Sequence, residues 1–127
     1  MIRPILAFLA LASTASLAAA QSMPLPSFVQ RGTALEKKGP LAVFSMGEIR
    51  ALQDEMKAAA AALRAERLAA EKAGRKPPYC PPKDQKSLAM KPQQVLAELR
   101  AIPAAQAKGM TTTDGFRHIL ARRYPCA

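Results

Sequence analysis

Two cysteines and one histidine are the residues whose types could do chemistry in this chain. Cys80 stands in Pro77-Pro78-Tyr79-Cys80-Pro81-Pro82, and Cys126 in Arg122-Arg123-Tyr124-Pro125-Cys126-Ala127. An even cysteine count downstream of an export leader reads as a disulfide, because the envelope is oxidising and the cytosol is not. With two thiols only one pairing exists, Cys80 with Cys126, and it makes residues 80 to 126 a covalently closed unit. His118 follows Asp114 by four residues, a spacing at which a helix can hold an imidazole against a carboxylate as a general base. The plainer reading, a surface pair near a helix end, is the one expected here. A Cys–His hydrolase needs a free thiol, and the disulfide accounts for both. Two separated cysteines and one histidine do not make a four-ligand metal site. No glycine-rich phosphate loop occurs, so the chain reads as non-enzymatic, with neither cofactor nor metal.

The first residues carry the signs of export. Met1-Ile2-Arg3 is a short positive start, Pro4 to Leu17 is almost wholly apolar, and Ala18-Ala19-Ala20 suits a signal peptidase. Residues 1–20 are read as a signal peptide with cleavage before Gln21. The apolar run of about 14 residues falls short of the ~20 that cross a bilayer as a helix. The expected location is the periplasm.

Without that leader the chain carries 18 bases and nine acids, a formal charge of +9. The excess is uneven. Gln21 to Glu71 holds seven bases and six acids, whereas Lys72 to Ala127 holds eleven bases against Asp84, Glu98 and Asp114. The asymmetry fits an anionic partner, either an acidic protein surface or an anionic membrane, and equally fits a self-repelling soluble surface. Nucleic acid is not an expected partner: the chain is exported, lacks tryptophan, and its few aromatics do not interleave with the bases.

Positioning these residues falls to helices. Alanine, leucine, lysine, arginine and glutamate abound, and alternating β-branched runs are missing, so the fold class is all-α. A first helix is predicted over 28–38, capped by Ser27 and stopped at Gly39-Pro40, with Phe28, Val29, Ala34 and Leu35 inward. Ser45 and Glu48 match a capping box opening a long helix over about 46–73, which would span roughly 42 Å. Ile49, Leu52, Met56, Ala59, Ala60 and Leu63 make its apolar stripe. Beyond Leu63 the stripe thins, and Glu66 falls where a heptad wants an apolar residue. That half is expected to project from the body, where it could serve self-association into a homodimer. Residues 21–76 thus form an N-terminal helical segment and 77–127 a disulfide-closed helical unit.

Gly74 ends the long helix, and the prolines from 77 to 82 stiffen the connector that presents Cys80. A helix from Pro92 to about Ala101 follows, with Val95, Leu96, Leu99 and Ile102 inward and Pro103 beyond it. After Ala104 to Met110, the Thr111-Thr112-Thr113-Asp114 cluster caps a last helix to about Arg123, with Phe116, Ile119 and Leu120 inward. A unit of about 50 residues has little core of its own. Closing a ~46-residue loop is worth about 4 kcal/mol by chain entropy, comparable to the net stability of a small domain.

Tyr79-Cys80-Pro81-Pro82, the Val95-Leu96-x-x-Leu99 helix, a further amphipathic helix and the terminal Tyr124-Pro125-Cys126 together resemble the Rap/Tai immunity proteins of type VI secretion. The resemblance covers about residues 77–126. It implies a small periplasmic helical protein with a Cys80–Cys126 disulfide that binds a secreted effector, a cell-wall amidase, and inhibits it. The long helix over 46–73 departs from that family. Two surfaces are candidates for the partner. One is the basic group Lys72, Arg75, Lys76, Lys83, Lys86 and Lys91. The other is the segment Lys108-Gly109-Met110-Thr111-Thr112-Thr113, as a loop entering a cleft. The scattered methionines read as core filler. The second functional class is a structural or chaperone-like envelope protein, its basic half resting on anionic lipid.

Overall fold

The computed structural model describes residues 22–83 and 90–127. The leader over 1–20 and Lys86 of the basic group lie outside the described residues. The chain is helical almost throughout: α1 (Leu25–Lys38), a 3₁₀ corner (Gly39–Ser45), α2 (Met46–Lys72), α3 (Pro92–Arg100), the short α4 (Ala104–Ala107) and α5 (Thr112–Arg123). Among the described residues the sole extended pairing is one antiparallel bridge, Pro24 with Thr111.

Helix α1 begins three residues before the predicted start. Pro24 occupies the cap and Pro26 the first turn, where a missing N–H costs nothing. Met110 supplies a further partner, accepting the Leu25 N–H at 2.9 Å. At the other end Gly39 takes φ +53, a conformation that favours glycine and breaks the α-helix, and the chain turns directly into the 3₁₀ corner. The predicted plain connection is therefore a tight helical corner.

The capping box foreseen at Ser45 does not form. Ser45 has φ −108 and ψ 40 and makes no cap bond; its hydroxyl accepts from Lys38 Nζ at 2.8 Å. Glu48 turns to α1 instead, where Arg31 donates to it through Nε and through Nη2, the latter at 2.7 Å. The Arg31 fork gives the carboxylate two bonds to a full cation where the cap would give it one to a backbone N–H. The C-terminal end of α2 behaves as read: Gly74 has φ +67, and Arg75 N–H closes on Ala70 carbonyl at 2.8 Å in a Schellman turn.

The core is common to both halves. Leu25 and Phe28 of α1, Leu52 of α2, Val95 and Leu99 of α3, Ile102 just beyond α3 and Ile119 of α5 form one buried cluster. Val29, Leu35, Met56 and Phe116 pack on its margin, with Phe116 edge-on to Phe28 at 6.1 Å between centroids. Of the other residues predicted to face inward, Ala34 and Ala60 are exposed. The C-terminal unit thus does not depend on a private core; it shares one with α1 and α2.

The second half of α2 does not project. Ala59, Leu63 and Ala70 are buried along it, and α5 packs against it. Glu66, the residue that broke the apolar stripe, receives three hydrogen bonds from Arg117 of α5, of which the shortest, from Nη2, is 2.8 Å. Sequence periodicity misses this contact because the partner is a cation on another helix. Beyond α2, Tyr79 is buried and Cys80 N–H donates to Tyr124 carbonyl at 2.8 Å. The Cys80–Cys126 disulfide closes this end, with 5.0 Å between Cα atoms.

Candidate functional site

The basic group is distributed over separate elements. Lys72 ends α2, Arg75 and Lys76 begin the connector, and Lys83 follows the disulfide; all four side chains are exposed. None of the four enters an ion pair among the described residues. The Schellman turn on one side and the Cys80–Tyr124 bond with the disulfide on the other bracket Lys72, Arg75 and Lys76. Lys91 is also exposed but stands at the start of α3, where its N–H donates to Gln94 Oε1 at 3.0 Å. Lys108 is exposed in the turn after α4.

The threonine segment is not a free loop. Thr111 caps α5: its hydroxyl accepts from Asp114 N–H at 3.1 Å, while its own N–H donates to Asp114 Oδ2 at 2.9 Å. Thr112 is fully buried, and both its N–H and its hydroxyl donate to Met23 carbonyl, at 2.7 and 2.8 Å. Thr113 binds Ser22 through backbone N–H and hydroxyl, each at 3.1 Å. Glu55 of α2 completes this knot by accepting from Ser22 Oγ at 2.9 Å and Met23 N–H at 2.6 Å. Thr112 and Thr113 fasten residues 22 and 23 to α5, whereas the sequence pattern offers the whole cluster only as a helix cap. The threonines are committed to the fold, whereas Lys108 and Gly109 of the same segment stand exposed.

Asp114 gives its carboxylate to partners other than His118. One carboxylate oxygen takes the Thr111 N–H and the other takes Arg117 Nη1 at 2.7 Å. The Thr111 backbone bond, followed by Arg117 and the Thr111 hydroxyl, holds this carboxyl below the usual aspartate range. His118, one turn further along the same helix, lines a hollow with Glu98, Ile119 and Arg122. No group of three metal-binding side chains occurs among the described residues.

An apolar groove of about 550 Å³, open to solvent, lies between α1, α2 and the start of α3. Phe28, Leu35, Ile49, Met56, Val95 and Leu96 supply its walls. Gly32 lets α3 approach: a Cβ there would stand 3.1 Å from Leu96 Cδ1. The 3₁₀ corner forms one rim through Gly39 and Ala42. On that corner Leu41, Val43 and Phe44 are 64, 62 and 84% exposed, and neighbouring Met46 is 50% exposed. Sequence reading treated these four as a connection and a helix start. Their clustering emerges only when the corner is seen to turn them outward.

Among the described residues no helix is long and apolar enough to cross a membrane. The disulfide fits a secreted or periplasmic protein. No protein-family model, curated protein or solved structure matches this chain.

Proposed function

We propose that this chain is a non-enzymatic binding protein of the periplasm, of the immunity type its cysteine contexts resemble. It blocks a secreted effector, a cell-wall amidase, by surface complementarity. The observation that carries this reading is the disulfide-held basic end, where Lys72, Arg75, Lys76 and Lys83 stand exposed and without ion pairs among the described residues. Exposed cations complement an acidic surface and steer its approach.

The test is inhibition. Oxidised protein is titrated into the secreted cell-wall amidases encoded beside it, at moderate salt. Near-stoichiometric inhibition that is lost in the Lys72→Glu, Arg75→Glu, Lys76→Glu triple variant supports the reading. Undiminished amidase activity, with no complex by gel filtration, overturns it.

A further inference from the structure

The 3₁₀ corner carries a second surface, unlike the basic end in chemistry. A 3₁₀ helix repeats every three residues, so side chains at i and i+3 share an edge. Leu41 with Phe44, and Val43 with Met46, have this spacing, and all four are half-exposed or more. Soluble proteins expose single apolar residues freely, but a contiguous group of large ones marks a contact surface. Cations flank the group on both sides. Lys37 and Lys38 close the last turn of α1, and Arg50 lies in the first turns of α2. Lys38 is held at the corner by its bond to Ser45 Oγ. Two of the nearby acids are neutralised within the fold: Glu36 pairs with Arg100 at 3.2 Å, and Glu48 pairs with Arg31, leaving Asp54 one turn beyond Arg50. The corner therefore presents an apolar tip flanked by Lys37, Lys38 and Arg50, and the groove behind it extends the apolar surface through Ala42.

We propose that this corner docks on an anionic bilayer surface. Phe44, Val43, Leu41 and Met46 enter the interface between headgroups and acyl chains, and Lys37, Lys38 and Arg50 meet the lipid phosphates. Apolar insertion combined with basic residues at headgroup level is the chemistry of interfacial attachment. A prominent tip suits a planar, deformable surface, and the phosphate layer supplies the counter-charge for the flanking cations. The attachment is independent of the partner proposed for the basic end, which the same molecule leaves free.

The experiment measures co-sedimentation of the oxidised protein with vesicles of phosphatidylcholine alone or mixed equally with phosphatidylglycerol. The Val43→Ser, Phe44→Ser variant is compared with wild type, as is a Lys37→Gln, Lys38→Gln, Arg50→Gln variant. The Lys72→Gln, Arg75→Gln, Lys76→Gln variant is the control. Binding to the mixed vesicles is expected to exceed binding to phosphatidylcholine by tenfold or more. The serine variant should lose about tenfold, and each corner cation removed should cost roughly fivefold. All substituted side chains are solvent-exposed, and an unchanged melting temperature verifies the fold of each variant. The chain has no tryptophan, so Phe44→Trp provides a single indole at the tip. Its emission should shift to the blue on the mixed vesicles. Absent binding, an unshifted indole, or binding lost only in the basic-end control overturns the proposal.

Discussion

Arg117 of α5 grips Glu66 of α2 across the interface that holds the two helices side by side, with Nη2 2.8 Å from Oε2. The same guanidinium reaches Asp114 through Nη1 at 2.7 Å. One cation thus ties the first turn of α5 to the C-terminal part of α2. The pair is about one-third exposed, which limits its worth to that of a well-oriented surface bridge. A double-mutant cycle with Arg117→Met and Glu66→Gln, followed by urea unfolding, should give a coupling of about 1 kcal/mol. A coupling near zero would mean that apolar burial of Leu63 and Ala70 holds α5 alone.

The disulfide should dominate the stability of the connector end. Reduction, or Cys80→Ser with Cys126→Ser, reopens a loop of 46 residues. The chain-entropy estimate for that loss is about 4 kcal/mol. Urea unfolding with and without reductant measures it. Because the core spans both halves, the reduced protein is expected to keep its helices at low urea, with a lower midpoint.

Gly115 marks the closest approach in the core. A Cβ there would stand 2.8 Å from Leu25 Cδ1 and 3.0 Å from Leu99 Cδ2. Leu25 and Leu99 are themselves fully enclosed and cannot move aside freely. Gly115→Ala should destabilise by about 1–3 kcal/mol through overpacking, despite alanine's better helix propensity. Gly47→Ala, where a Cβ meets open space near the start of α2, should be neutral or mildly stabilising. Thermal melts of the two variants decide between them.

Acid should weaken the start of α5. The Thr111 backbone bond and Arg117 hold the Asp114 carboxyl below its usual range, and the Arg31 fork does the same for Glu48. A lowered folded-state value means stability that is full above the unfolded value and lost as pH falls through the folded one. The urea midpoint should therefore hold from neutrality to about pH 4 and decline below it. Asp114→Asn should flatten that decline while lowering stability at neutral pH. An unchanged acid profile would assign the decline to other carboxylates.

Much of the architecture was legible because its signals are local. Gly74 stops α2 by adopting a backbone conformation that few other residues accept, and Thr111 with Asp114 caps α5 through atoms three residues apart. Ser45 and Glu48 have the same local spacing, yet their box is absent, because Arg31 arrives from α1 and outcompetes the cap. The candidate site divides in the same way. Exposed lysines at the end of α2 follow from charge and breaker residues, whereas the commitment of Thr112 and Thr113 to Met23 and Ser22 joins positions about 90 residues apart.

By its sequence alone this protein is determined as an all-α chain with one disulfide, helices ending near Lys38, Lys72, Arg100 and Arg123, and a basic C-terminal half. Propensity, capping and cysteine count act over a few residues or through a unique pairing, so they can be read without coordinates. Tertiary structure alone decided that α2 lies along α5, that both halves share one core, and that Leu41, Val43 and Phe44 point to solvent. Those outcomes depend on which faces meet across long sequence separations, and an apolar residue's type does not say whether a neighbour will cover it.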